Sequence, residues 1–160
     1  MFRTTSWRTR FATVLAALTT TAVLFPAAPA SADVGAVKAR QIQERVDRYL
    51  AAIPDSRQVA PGRLAIPGGE LTVGDTERQA CRHGWLCTWK YDNGFDKINY
   101  YRCGTYPLPN WVGRGGFENS QTDNTYTAFK RADGSVVRAS YAYDFYDDMD
   151  WTPVWHVLVC

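Results

Sequence analysis

The chain has 160 residues, 46% of them hydrophobic, with 18 Lys+Arg against 16 Asp+Glu. That length suits one domain with a modest core, and the near-balanced charge excludes a polybasic nucleic-acid binder.

The first segment, "MFRTTSWRTR", carries Arg3, Arg8 and Arg10 and no acid. An apolar run from Phe11 to Leu24 follows, then Ala30-Ser31-Ala32. A basic start, a short apolar run and a small-residue site predict a secretory signal peptide over 1–32, cleaved after Ala32. The run is about 14 residues, short of the roughly 20 that span a bilayer. No membrane association is therefore expected after cleavage. Loss of the three arginines leaves 15 basic and 16 acidic residues. The expected compartment is extracellular and oxidising.

"VKARQIQERVDRYLAAI" places Ile42, Val46, Tyr49, Leu50 and Ile53 at helical spacing. This predicts one amphipathic helix over 37–53, ended by Pro54. One such helix buries too little to fold alone. Next, "GRLAIPGGELTVGD" reads as a small hairpin or bent arm around Gly68-Gly69. Whether the arm docks or only spaces is left open. The polar "DTERQA" closes a helix-plus-arm segment, 33–80.

From Cys81 the pattern is β-like. "WLCTWKY" and "INYYRC" are strand candidates, and "TYTAFKR" and "SVVRAS" flank Ala132-Asp133-Gly134. Asp-Gly between such runs predicts a hairpin. "VWHVLVC" reads as a last strand, with Trp155, Val157 and Val159 on one face and Val154, His156 and Leu158 on the other. The expected fold is mainly β, a small Greek-key sandwich over 81–160 preceded by the helix and arm. Cys81, Cys87, Cys103 and Cys160 form an even set in a secreted chain, so two disulfides are expected. Proximity favours Cys81 with Cys87, leaving Cys103 for Cys160.

"ACRHGWLC" could also be a metal or thiol site. Zinc needs about four converging ligands, and disulfides consume the thiolates. His83 then becomes a loop-tip residue, with Gly84 letting the chain turn. No G-x-S-x-G or H-E-x-x-H occurs, and there are only two histidines, so no catalytic residue is nominated. Asp144, Asp147, Asp148 and Asp150 cluster in "YDFYDDMDW". A glycosidase pair could come from such a set, but so small a domain seldom forms the cleft. The default reading is a solvated acidic loop. Asp147, Asp148 and Asp150 are weak calcium candidates, without EF-hand spacing. No cofactor is expected. Most of the many aromatics should be core, and exposed ones could form a binding face.

"CRHGWLCTWKYDNGF", "CGTYPLPNWVGRGGFENSQT" and "WTPVWHVLVC", in that order, resemble a family of small secreted actinobacterial peptidase inhibitors. The family is typified by a Streptomyces metalloproteinase inhibitor. "RVDRYLAAIPDSRQVAPGRLAIPGGELTV" also looks like the leader arm before such domains. The resemblance implies a βγ-crystallin-like fold of two Greek keys, with disulfides Cys81–Cys87 and Cys103–Cys160. Lys97 departs from that fold's aromatic signature, where Gly is expected, and Glu118 to Asp123 matches its calcium pattern only loosely.

The expected function is a secreted, non-enzymatic protease inhibitor that presents a surface or loop to its target. The candidate loops are Arg82, His83, Gly84 and Trp85, and Asn110, Trp111 and Arg114 within Asn110–Gly116. Two alternatives remain: a carbohydrate or cell-envelope binding module using exposed aromatics, and a calcium-stabilised extracellular module. The target and the oligomeric state are open.

Overall fold

The computed structural model describes residues 31–75, 80–91, 94–109 and 111–160. The expected signal peptide lies almost wholly outside them, as do Asn110 and most of the polar linker.

Helix α1 spans Ser31–Ala52. It starts before the expected Val37 because residues 34–40 are exposed, so no buried face betrays their periodicity. Val46, Tyr49 and Ile53 are buried, with Ile42 and Leu50 packed at the edge. These are the positions that the spacing picked out.

The strands are β1 (Arg57–Ala60), β2 (Arg63–Ile66), β3 (Gly69–Asp75), β4 (Trp85–Tyr91), β5 (Phe95–Tyr100) and β6 (Gly104–Pro107). Then come β7 (Arg114–Ser120), β8 (Tyr126–Lys130), β9 (Val136–Tyr141), β10 (Asp144–Asp150) and β11 (His156–Val159). A seven-stranded sheet runs β1-β2-β3-β5-β4-β7-β10, and a four-stranded sheet runs β6-β11-β8-β9. Thus β4–β7 and β8–β11 are two successive Greek keys. Each sends its third strand, β6 or β10, into the other's sheet. The sandwich core joins both: Phe117 and Phe129 rings meet at 4.7 Å, and Phe129 and Trp151 at 5.3 Å.

The arm docks. β3 pairs with β5 from Gly69↔Tyr100 to Asp75↔Phe95, so β1–β3 extend the large sheet. Val46, Leu64 and Leu71 share one apolar cluster with Phe129 and Trp151, and the sheet runs across the boundary expected at residue 80. The β2–β3 turn is Pro67-Gly68, with Gly68 at φ 74°. Pro presets its φ, and Gly accepts the left-handed position that follows.

The β8–β9 hairpin forms as Asp-Gly predicted. Arg131 and Ser135 close its turn, and the Ser135 hydroxyl and amide both donate to Asp133. Those bonds hold the Asp133 carboxyl below the usual carboxylate range. The support they lend the turn is present above the unfolded value and fades as acid protonates the group.

Three features differ from expectation. "DFYDDMD" is not a solvated loop but the edge strand β10, antiparallel to β7. A register shift between Tyr146 and Met149 breaks its alternation, which hides the period-2 pattern. Its aspartates charge an open edge, a common guard against strand addition. Second, β7 opens Arg114-Gly115-Gly116, a composition that argues against a strand. Packing requires the glycines: a Cβ on Gly115 would lie 2.0 Å from the Trp89 carbonyl oxygen. Gly115→Ala is expected to cost about 1–3 kcal/mol by overpacking, read as a lower urea midpoint; an unchanged midpoint would refute the close approach. Third, Trp155 precedes β11 and is exposed, while Val154 is buried. It does not share a face with Val157.

Tyr100 is buried, and its hydroxyl has no partner among the described residues. Burial raises its phenol pKa well above the ordinary value. Above about pH 10 the unfolded chain's tyrosine ionises while the folded one stays neutral. Stability is therefore full below that pH and falls as pH rises through the folded value. Tyr100→Phe is expected to be neutral or stabilising at pH 7 and to lessen the alkaline loss. Urea midpoints from pH 8 to 11 check both.

Candidate binding face

Strand alternation sends one row of β-sheet residues inward and the next outward. The paired positions Leu64, Leu71, Ile98, Thr88, Phe117 and Tyr146 form one row that faces the small sheet. One step along, the row is Ala65, Glu70, Asn99, Cys87, Glu118 and Phe145. That row lies on the outer face, and Cys87 at its middle carries the Cys81–Cys87 disulfide. The second disulfide is Cys103–Cys160, and no described cysteine is free. Both pairings are those expected.

The staple raises a ridge on this face. Gly84 turns at φ 85°, its N–H donating to the Ser120 carbonyl at 2.7 Å. The Trp85 N–H donates to the Arg82 carbonyl at 3.1 Å. The Arg82 guanidinium lies 5.0 Å from the Trp85 ring centroid, and Trp85 lies 5.2 Å from Tyr101. His83 is exposed, as expected of a loop tip, and stacks 6.2 Å from Tyr143. Hydrogen bonding to Asp123 raises the Tyr143 phenol pKa.

A trough flanks each side of the ridge. One, of about 520 Å³, lies between α1 and β2, β3 and β5, with Glu70, Thr72 and Asn99 in its lining. The other, of about 500 Å³, is lined by Glu118, Ser120, Tyr143, Asp144 and Phe145. Neither was foreseen, because each is assembled from strands distant in sequence. Alternating polar positions in "GELTV" and "FDKINY" were the only available signal.

The second predicted loop does not join this face. Trp111, expected on an exposed loop, is buried, with its ring 6.3 Å from both Tyr49 and Trp151. A ring of that size gains more from the core than from solvent. Arg114 pairs with Asp148.

The calcium candidates point to separate partners. Asp147 accepts from the Trp89 Nε1 at 3.0 Å and from the Tyr91 hydroxyl. Asp148 holds Arg114, and Asp150 accepts the Thr152 N–H, which lowers its pKa. Among the described residues, no group of three or more His, Cys, Asp or Glu side chains is placed to hold a metal. No described helix is long and apolar enough to cross a membrane.

Sequence reasoning also missed a buried ionic cluster. Asp96 is fully buried on β5. It accepts the Tyr49 hydroxyl at 2.9 Å and the Gly74 N–H at 3.0 Å. Arg45 lies 3.6 Å away and Lys90 3.8 Å. This cluster ties α1 to the sheet and fixes one wall of the larger trough.

Compared with protein-family models, curated proteins and solved structures, the chain matches none.

Proposed function

We propose that this is a secreted, non-enzymatic protease inhibitor that inserts the Arg82–Trp85 ridge into a protease cleft. The observation that carries the reading is the ridge itself: exposed Arg82 and His83 on a turn closed by a disulfide and by the bond to Ser120. Binding loses less free energy when the loop is ordered beforehand. The resemblance to the metalloproteinase-inhibitor family points to the same role, and two disulfides suit an extracellular site of action.

The test is a panel of thermolysin-like and other secreted proteases assayed with the purified chain. Slowing of at least one protease at micromolar levels is expected. Arg82→Ala with His83→Ala should weaken inhibition at least about tenfold, as central interface residues do, with the melting temperature unchanged. Lack of inhibition across the panel at micromolar concentration sinks the proposal.

A further inference from the structure

We propose that the trough between α1 and β2, β3 and β5, with Arg82 of the ridge at its edge, is a saccharide-binding site, a role in addition to inhibition. Its volume of about 520 Å³ falls within the range of small-ligand sites. The lining mixes donors and acceptors. The Asn99 Nδ2 donates to Glu70 Oε1 at 3.1 Å, and Glu70 Oε2 meets Arg63 at 3.4 Å. Thr72 adds a hydroxyl, Arg82 stands at the ridge side, and Ile42 of α1 forms an apolar wall. Asn99 is only 8% exposed, and its Oδ1 has no partner among the described residues.

The charges choose the ligand class. An anion would meet the Glu70 carboxylate, and a cation would meet Arg63 and Arg82. A neutral, hydroxyl-rich ligand donates to Glu70 and accepts from the arginines and Thr72. The face also continues in the right way. Tyr101 lies two residues beyond Asn99, roughly 7 Å along the strand direction. Its hydroxyl reaches the Gly69 carbonyl, and its ring pairs with Trp85. Successive sugar rings leaving the polar floor would pass over the exposed Tyr101 ring, whose face suits the C–H side of a pyranose. The ligand is a short stretch of a neutral polysaccharide.

The experiment titrates protein expressed from the full-length chain with cellotetraose, chitotetraose and maltotetraose, followed by calorimetry and amide chemical shifts. Saturable binding to at least one is expected, at a Kd of about 1 mM or tighter, with shifts centred on Glu70, Thr72 and Asn99. The tightest of the three identifies the polymer. Thr72→Trp, which fills the trough from a half-exposed position, should weaken binding at least tenfold while protease inhibition is unchanged. Glu70→Gln keeps the shape and serves as the second variant should the first not fold; it too should weaken binding. No saturable binding to any of the three overturns the proposal. So does equal affinity in a folded groove variant, or shifts confined to Tyr143 and Phe145 across the ridge.

Discussion

Asp96→Ala is expected to lower the unfolding free energy by about 3–5 kcal/mol, the usual loss when one member of a buried ionic set is removed. The carboxylate is fully buried and faces Arg45, Lys90, the Tyr49 hydroxyl and the Gly74 amide at once. Deleting it leaves two largely buried cations without their shared counter-charge, and each resists desolvation strongly. The loss is larger than the worth of the contacts, because the penalty comes from what stays behind. Replacing the whole cluster with well-packed apolar residues would not carry the same loss. Tyr49→Phe removes the hydroxyl that donates to the buried Asp96 carboxylate and is expected to cost about 1.5–3 kcal/mol. Urea unfolding of both variants gives the comparison. A loss below about 1 kcal/mol for Asp96→Ala would mean that the cluster does not hold α1 to the sheet. Amide exchange should quicken over residues 41–53 in that variant, and saccharide binding should weaken with it, since α1 walls the trough.

Removing the Cys103–Cys160 disulfide, as Cys103→Ser with Cys160→Ser, is expected to cost about 4 kcal/mol. The bond closes a loop of sequence separation 57, whereas Cys81–Cys87 closes one of only 6. Chain entropy withheld from the unfolded state grows with loop length, so the shorter staple should contribute about 2.4 kcal/mol. In the folded chain the longer bond joins strand ends that already pair, Gly104 of β6 with Val159 of β11. Its effect therefore falls mainly on the unfolded chain. Removing Cys81–Cys87 should cost less stability and more function, because it frees the ridge that carries Arg82 and His83. Denaturation of the two double variants checks the order, and protease assays check the division. Equal stability losses, or inhibition kept after loss of the short staple, would contradict it.

Several parts of the fold were legible before any coordinates. The apolar spacing of Ile42, Val46, Tyr49 and Ile53 marks α1, because a helix repeats its face within one or two turns. Ala132-Asp133-Gly134 marks a hairpin, because turn chemistry is set by residues side by side. Strands β4, β8 and β9 carry enough aromatic and branched side chains to be read. β7 and β10 were not legible. Gly115 and Gly116 belong there only because Trp89 and Tyr146 press against them, and β10 hides its alternation behind a register shift.

The binding face shows the same division more sharply. His83 and Gly84 could be placed at a stapled turn from their position between Cys81 and Cys87. The trough could not, since Glu70 and Asn99 become neighbours only when β3 pairs with β5. Trp111 and Phe145 exchange the roles that composition suggests. The tryptophan is core, and the phenylalanine, 46% exposed, lines a surface cavity. Hydrophobicity ranks side chains by what burial would gain, but only the assembled layers decide which of them find cover.

The amino-acid sequence by itself determined the mainly β class, the amphipathic helix, the Asp-Gly hairpin and the cysteine pairing favoured by proximity. Each depends on interactions within a turn or on spacing along one strand, so each is written locally. The tertiary structure alone decided that the arm joins the sheet, that Asp96 is caged by α1, β3 and β4, and that a ridge stands between two troughs. Those features depend on which strand edges and faces meet across long stretches of chain. Their energies are set by burial and pairing, which no single segment contains.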